Sequence, residues 1–129
     1  MKAVIEVHQK VWGEEHWIAN DERFNYCGKR LVLKCQWRCS DHHHKVKAET
    51  FYLKSGLVIL EIECKRHVMF QGDAYHVPVG LWHRFSGMMD SEIIEFSTHH
   101  DNSDSYRREH SGFIPDEEFD ELKRWMALR

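Results

Sequence analysis

Most of this chain has the texture of β-strands: short runs of Val, Ile, Leu and aromatic residues broken by turn residues. Such runs cover residues 4–7, 15–19, 29–37, 48–54, 57–64, 68–70, 74–77, 82–85 and 92–97. Asn20-Asp21-Glu22, Gly72-Asp73, Pro78 to Gly80 and Ser86-Gly87 punctuate them, and Ser55-Gly56 reads as a hairpin turn. Alternation sets the facing of residues 49–54: if Glu49 points inward, so do Phe51 and Leu53, while Thr50, Tyr52 and Lys54 point out. One amphipathic helix is predicted near the end. Pro115 and Asp116 open it, and Lys123, Arg124 and Arg129 sit toward its C-terminus, where cations suit the helix dipole. Its stripe of Phe119, Leu122, Trp125 and Met126 is expected to pack against the strands. Many short strands at this spacing predict an all-β sandwich or small barrel, and a jelly roll leaves an interior pocket.

At 129 residues one domain is expected, with a barrel core over about residues 11–100 and a C-terminal loop and helix over about 101–129. That length buries a real core without a disulfide framework. With 42% hydrophobic residues and few Gly or Pro, global disorder is excluded. A net charge of -3 argues against a nucleic-acid or anionic-membrane binder. No run approaches the roughly 20 apolar residues needed to span a bilayer. The N-terminus has no apolar signal region, so a cytosolic location is expected. Cys27, Cys35, Cys39 and Cys64 form no C-x2-C pair, and buried free thiols are the expected state.

The chemistry is concentrated in two patterns. His42, His44, Glu49 and Gly56 form H-x-H-x4-E-x6-G, and Gly72, Pro78, Gly80 and His83 form G-x5-P-x-G-x2-H. His42 and His44 share one face of a strand, and His43 faces away. Three imidazoles and one carboxylate make a first shell for Mn, Fe, Co, Ni or Zn. An octahedral ion so held keeps two positions for neighbouring substrate oxygens. His99-His100-Asp101 is expected to be a polar loop rather than a second metal site.

Both patterns resemble those of the cupin superfamily, which implies an all-β jelly-roll barrel with the metal inside. The resemblance also implies a homodimer formed through N-terminal strands, here residues 4–7. Trp12-Gly13, Glu15 and Trp17 are similar to the opening of the C-terminal cupin domain of type II phosphomannose isomerases. Lys29 to Leu33, the His pair, Glu49 to Phe51 and an Asp104-x-x-Arg107 pattern follow in the same order. The chain departs from that family at Ser40, where Gln is common, and at Lys45, where Arg is common. The likeness implies a sugar or sugar-phosphate isomerase or epimerase.

Aldose–ketose isomerisation needs a Lewis acid across two oxygens and a base near the adjacent carbons. Lys45, Glu61 and Arg107 are the catalytic candidates; Glu95, His76 and His99 are further possible bases. Lys29, Arg38, Lys45, Lys47 and Arg107 are the candidates to meet a phosphate. Tyr75 and Trp82 are candidates to stack on a sugar, whereas Phe51 is expected in the core. The same ligands also suit an Fe(II) dioxygenase of a chelating substrate, or a non-enzymatic sugar-binding module.

Overall fold

The computed structural model describes residues 1–128; the helix-end cation expected at Arg129 lies outside the described residues. In chain order the strands are β1 (Glu6–Lys10), β2 (Gly13–Asp21), β3 (Tyr26–Leu33), β4 (Trp37–Arg38), β5 (Asp41–His43), β6 (Glu49–Ser55), β7 (Val58–Ile62), β8 (Lys65–Met69), β9 (Ala74–Val77), β10 (His83–Gly87), β11 (Ser91–Ser97), β12 (Tyr106–Glu109) and β13 (Gly112–Phe113), followed by helix α1 (Asp116–Ala127). One sheet runs β1-β2-β3-β11-β6-β9. The other runs β12-β5-β10-β4-β13, with β7 joining β10 to β8. The pairings are antiparallel. This is the jelly-roll architecture expected from the strand pattern.

Three connections differ from the sequence reading. Ser55-Gly56 is not a hairpin turn: β6 pairs with β11 and β9, whereas β7 pairs with β10 and β8, so the chain changes sheets there. Gly56 has φ 97°, and a Cβ on it would stand 2.6 Å from the Asp90 carbonyl oxygen, so only glycine fits this corner. The 29–37 run is broken by Gln36 at φ 68°, after which β4 joins the second sheet. The 57–64 run ends at Ile62, where Glu63 and Cys64, at φ 51° and 64°, make a tight turn into β8. Neither residue is a usual residue for such a turn, so no composition signal marks it.

Alternation builds the core. On β3, Cys27, Lys29, Leu31 and Leu33 face inward; on β6, Glu49, Phe51 and Leu53 do so. Between the sheets they meet Trp12, Val58, Leu60, Met69, Val77, Phe85 and Ile93. β7 is buried on both faces at Val58-Ile59-Leu60, because α1 covers its outer side. Ile59, Met88 and Ile114 pack there under Phe119 and Leu122, with Trp125 and Met126 partly buried beside them. The helix opens after Pro115 with Asp116, Glu117 and Glu118 in its first turn, as its dipole favours. Glu118 pairs with Arg38, and Glu121 with Arg66, tying the helix to the sheet. No helix among the described residues is long and apolar enough to cross a membrane.

Candidate metal centre

His42 lies on β5 directly opposite His83 on β10, so the antiparallel register places these two imidazoles side by side. Their ring centroids are 4.4 Å apart. His44 follows just past the end of β5, 5.0 Å from His42 and 5.5 Å from His83. His43 points the other way, against Trp82 and Tyr106, as a period of two requires. Gly80, at φ 88°, bends the chain before His83 and donates its N–H to the His44 carbonyl at 2.8 Å.

Each ring is pinned through Nδ1 to a backbone carbonyl: His42 to Ser40 at 2.7 Å, His44 to Asp104 at 2.6 Å and His83 to Leu81 at 2.9 Å. A ring that donates Nδ1–H keeps its Nε2 lone pair for a cation. One ligand atom from each of the three lies within 4.8 Å of the others. Glu49 stands beside them at the start of β6, with Oε2 at 2.8 Å from His83 Nε2 and 3.4 Å from His44 Nε2. Yet His44 Nε2, His83 Nε2 and Glu49 Oε2 are buried without a hydrogen-bond partner. Crowded, uncompensated lone pairs of this kind fit a divalent cation. His42, His44 and His83 therefore form a group able to hold one.

The electrostatics favour a neutral His42 and an ionised Glu49, while His83 is drawn toward its charged form by the carboxylate beside it. Burial pushes His42 down to about 3, helped by His83 beside it, so its ring is neutral and ready to ligate. Burial opposes charge on Glu49, but Lys47 and the neighbouring imidazoles hold its carboxyl well below the usual carboxylate range. Burial also opposes a charged His83, yet Glu49 raises it.

His42, His44 and Glu49 line a cavity of about 490 Å³, with His83 buried beside them. Along its wall runs a row of alternating charges. Lys47 Nζ lies 3.3 Å from Glu49 and 3.2 Å from Glu95; Lys29 Nζ lies 4.0 Å from Glu95 and 3.4 Å from Glu15. Burial alone would lower Lys47, but the two carboxylates raise it above the ordinary lysine value. Burial likewise opposes the Glu15 carboxylate, but Lys29 and the Trp17 indole N–H hold its carboxyl below the usual value. His100 closes the row. Burial and the two lysines push it down to about 4, and its Nδ1 accepts a 2.9 Å bond from Lys47 Nζ. Phe51, Phe85 and Trp12 supply apolar wall.

The structure separates the other candidates. Arg107 lines the cavity mouth, exposed and without an ion-pair partner among the described residues. Lys45 is exposed outside, with its ammonium 4.2 Å over the Tyr106 ring. Glu61 faces away from the cavity and pairs with Arg84 at 2.9 Å, on the face of the sheet opposite His83. His76 bonds Thr50 on the outside, and Trp82 lies under Arg108. Tyr75 packs against the core and His67 rather than lining the cavity. Arg38 is held by Glu118 of the helix. His99 lies in the polar loop after β11, its amide bonded to Asn25. Two of the cysteines, Cys35 and Cys64, are exposed, which corrects the expectation of buried thiols. Glu15 and His100 were not among the sequence candidates. Lys29 and Glu95 were among them, and each is a charge at an inward strand position beside an apolar one, Leu31 or Ile93.

The cupin-domain family model matches residues 31–96, more than half of the chain, and that segment contains both motifs. The chain belongs to the cupin superfamily. No curated protein sequence matches it. Among solved structures it resembles the nucleoside dehydratase Pac13 of Streptomyces, seen with uridine. The identity is 15%, the TM-score is 0.73, and the match covers 88% of this chain and 89% of that one. It resembles KdgF from Halomonas sp. at 16% identity and TM-score 0.64, covering 70% of this chain and 81% of that one. It also resembles the capsular polysaccharide assembling protein CapF of Staphylococcus aureus, at 16% identity and TM-score 0.68, covering 84% of this chain and 32% of that one. At these identities the likeness is one of fold.

Proposed function

We propose that this cupin is a metal-dependent isomerase or epimerase of a sugar or sugar phosphate. The observation that carries the reading is the His42, His44 and His83 cluster, pinned through Nδ1 and beside Glu49, with His42, His44 and Glu49 lining a polar cavity. Glu49 completes the ligand set. A divalent cation held there supplies Lewis acidity to two neighbouring substrate oxygens.

The protein supplies the proton chemistry. Of the bases the sequence offered, Glu95 takes the role rather than Glu61, because it lies on the cavity wall. Lys47 and Ser97 bond its Oε2, leaving Oε1 uncommitted for the substrate. It removes the proton from the carbon beside the carbonyl and returns it to the carbonyl carbon, while the hydroxyl proton passes to the former carbonyl oxygen. Arg107 meets an anionic end of the substrate at the mouth. Trp12, Phe51 and Phe85 keep water from the reacting carbons. A second reading, dehydration of a sugar ring, draws on the fold match to the dehydratase Pac13. The same proton abstraction, beside a carbonyl carried by the ring, would then expel the hydroxyl from the next carbon, which leaves as water with the proton that Glu95 took. The N-terminal edge, with Val4, Ile5 and Val7 exposed, is the proposed dimer contact.

Proton NMR in D2O tests the reading. The protein is loaded separately with Mn(II), Fe(II), Co(II), Ni(II) or Zn(II) and incubated with aldoses, ketoses, nucleosides and sugar phosphates; the paramagnetic ions are removed before the spectra are taken. Metal-dependent deuterium uptake beside a carbonyl, with a new sugar, supports isomerisation; loss of that proton together with water, with a new alkene signal, supports dehydration. No exchange by metal-loaded protein, with oxygen uptake under Fe(II), replaces both by a dioxygenase.

A further inference from the structure

His42 and His83 sit on paired strands, but His44 lies beyond the end of β5, where no sheet pairing fixes it. The chain then runs through residues 45–48 before β6 begins at Glu49. That turn has amides to satisfy. Three consecutive amides go to one carboxylate: Lys45 N–H donates to Asp104 Oδ1 at 2.8 Å, and those of Val46 and Lys47 donate to Oδ2 at 3.2 and 3.0 Å. The backbone carbonyl of the same residue accepts His44 Nδ1–H at 2.6 Å. Asp104 does not line the cavity.

We infer that Asp104 is the positioning residue of the metal centre, holding both the His44 ring and the turn that carries Lys47 while touching neither cation nor substrate. The inference rests on the metal-centre reading above. A carboxylate accepting three N–H groups is a strong, directional anchor. Burial works against its charge, yet those amides hold the Asp104 carboxyl below the usual value. Its loop is itself fastened to the first sheet: Asn20 exchanges two bonds with the His100 backbone, at 2.8 and 3.0 Å, and Asn25 accepts from the His99 amide at 3.0 Å. From the clamped turn, Lys47 reaches between Glu49 and Glu95. Release of the clamp thus loosens one ligand and the cation beside another. Asp101 of the same loop bonds Ser103 instead, which makes it a natural control.

The test compares wild type with Asp104→Ala, Asp104→Asn and Asp101→Ala, before and after Mn(II) loading. In the metal-free protein, amide exchange at Lys45, Val46 and Lys47 reports the clamp directly, and the His44 Nδ1–H signal, whose acceptor is the backbone carbonyl that every variant keeps, reports whether the ring follows the turn. In the loaded protein, Mn(II) affinity and the EPR spectrum report its consequence. Asp104→Ala is expected to lose protection at the three amides and to bind Mn(II) about 10–100-fold more weakly, the usual effect of losing a partner that orients ligands. Asp104→Asn, which retains one acceptor oxygen, falls between; Asp101→Ala matches wild type. A folded Asp104→Ala protein with wild-type affinity and spectrum overturns the role. If Asp104→Ala does not fold, Asp104→Asn decides by the same readouts. A wild type that binds none of Mn(II), Fe(II), Co(II), Ni(II) or Zn(II) overturns the metal centre and this role together.

Discussion

On β6, Leu53 and Glu49 both point into the barrel, yet they enter different interiors. Around Leu53 lie Leu33, Val58, Met69 and Ile93, each 0–1% exposed and all apolar. Around Glu49 lie His83, Lys47, Lys29 and Glu95, only 1–4% exposed and all ionisable. Side-chain exposure is similarly low at both ends; chemistry is not. Apolar burial stabilises in proportion to area. Burying charges costs several kcal/mol per ion, so the charged row is weak as a source of stability. Its presence at positions that alternation assigns to the core is the physical argument for function.

The comparison can be broken first at the charged end. Lys29→Met leaves Glu15 and Glu95 short of a partner and is expected to cost about 3–5 kcal/mol in urea unfolding. Adding Glu95→Leu should restore stability to about the wild-type value or above it, while abolishing turnover. A single-variant loss below about 1 kcal/mol would mean that water reaches the row and the contrast is false.

At the apolar end, Leu53→Ala removes a fully buried side chain and is expected to cost about 2–5 kcal/mol. Its Mn(II) affinity, measured well below the unfolding midpoint, should match wild type. A large drop in affinity would show that the two interiors are mechanically one.

Metal loading sharpens the contrast further. With Mn(II) at a hundred times its dissociation constant, the wild type should gain about 2.7 kcal/mol. His83→Ala should gain none, and a chelator should erase the wild-type gain. Stabilisation of the His83 variant by Mn(II) would place the ion elsewhere.

The smallest effect concerns thiols. Cys39 is fully buried in the apolar cluster, and burial pushes its thiol up to about 12. Cys35 and Cys64 are exposed. Mass spectrometry after brief alkylation of native protein should find label on Cys35 and Cys64 and not on Cys27 or Cys39. Early labelling of Cys39 would indicate that the apolar end opens readily.

Local rules made much of this legible in advance. Residue spacing around the two motifs named the histidines, because a period of two places His42 and His44 on one side and excludes His43. Capping and charge placed the helix within a residue of its observed start. The inward phase of Glu49, Phe51 and Leu53 followed from alternation alone. What remained hidden depended on contacts between distant segments. Glu61 and Glu95 are both strand glutamates. Glu61 belongs to the doubly buried stretch of β7, where the apolar run obscures which side faces in, and only the helix packing decides it. Lys45 and Lys47 flank a turn outside any strand, so parity says nothing about them. Three amide bonds to Asp104, far along the chain, turn Lys47 inward and leave Lys45 in solvent. The sequence by itself determined the histidine group and the faces of the alternating strands, since both follow from near neighbours and a fixed period. Tertiary structure alone decided which charges share the cavity, because burial is set by what packs across the barrel.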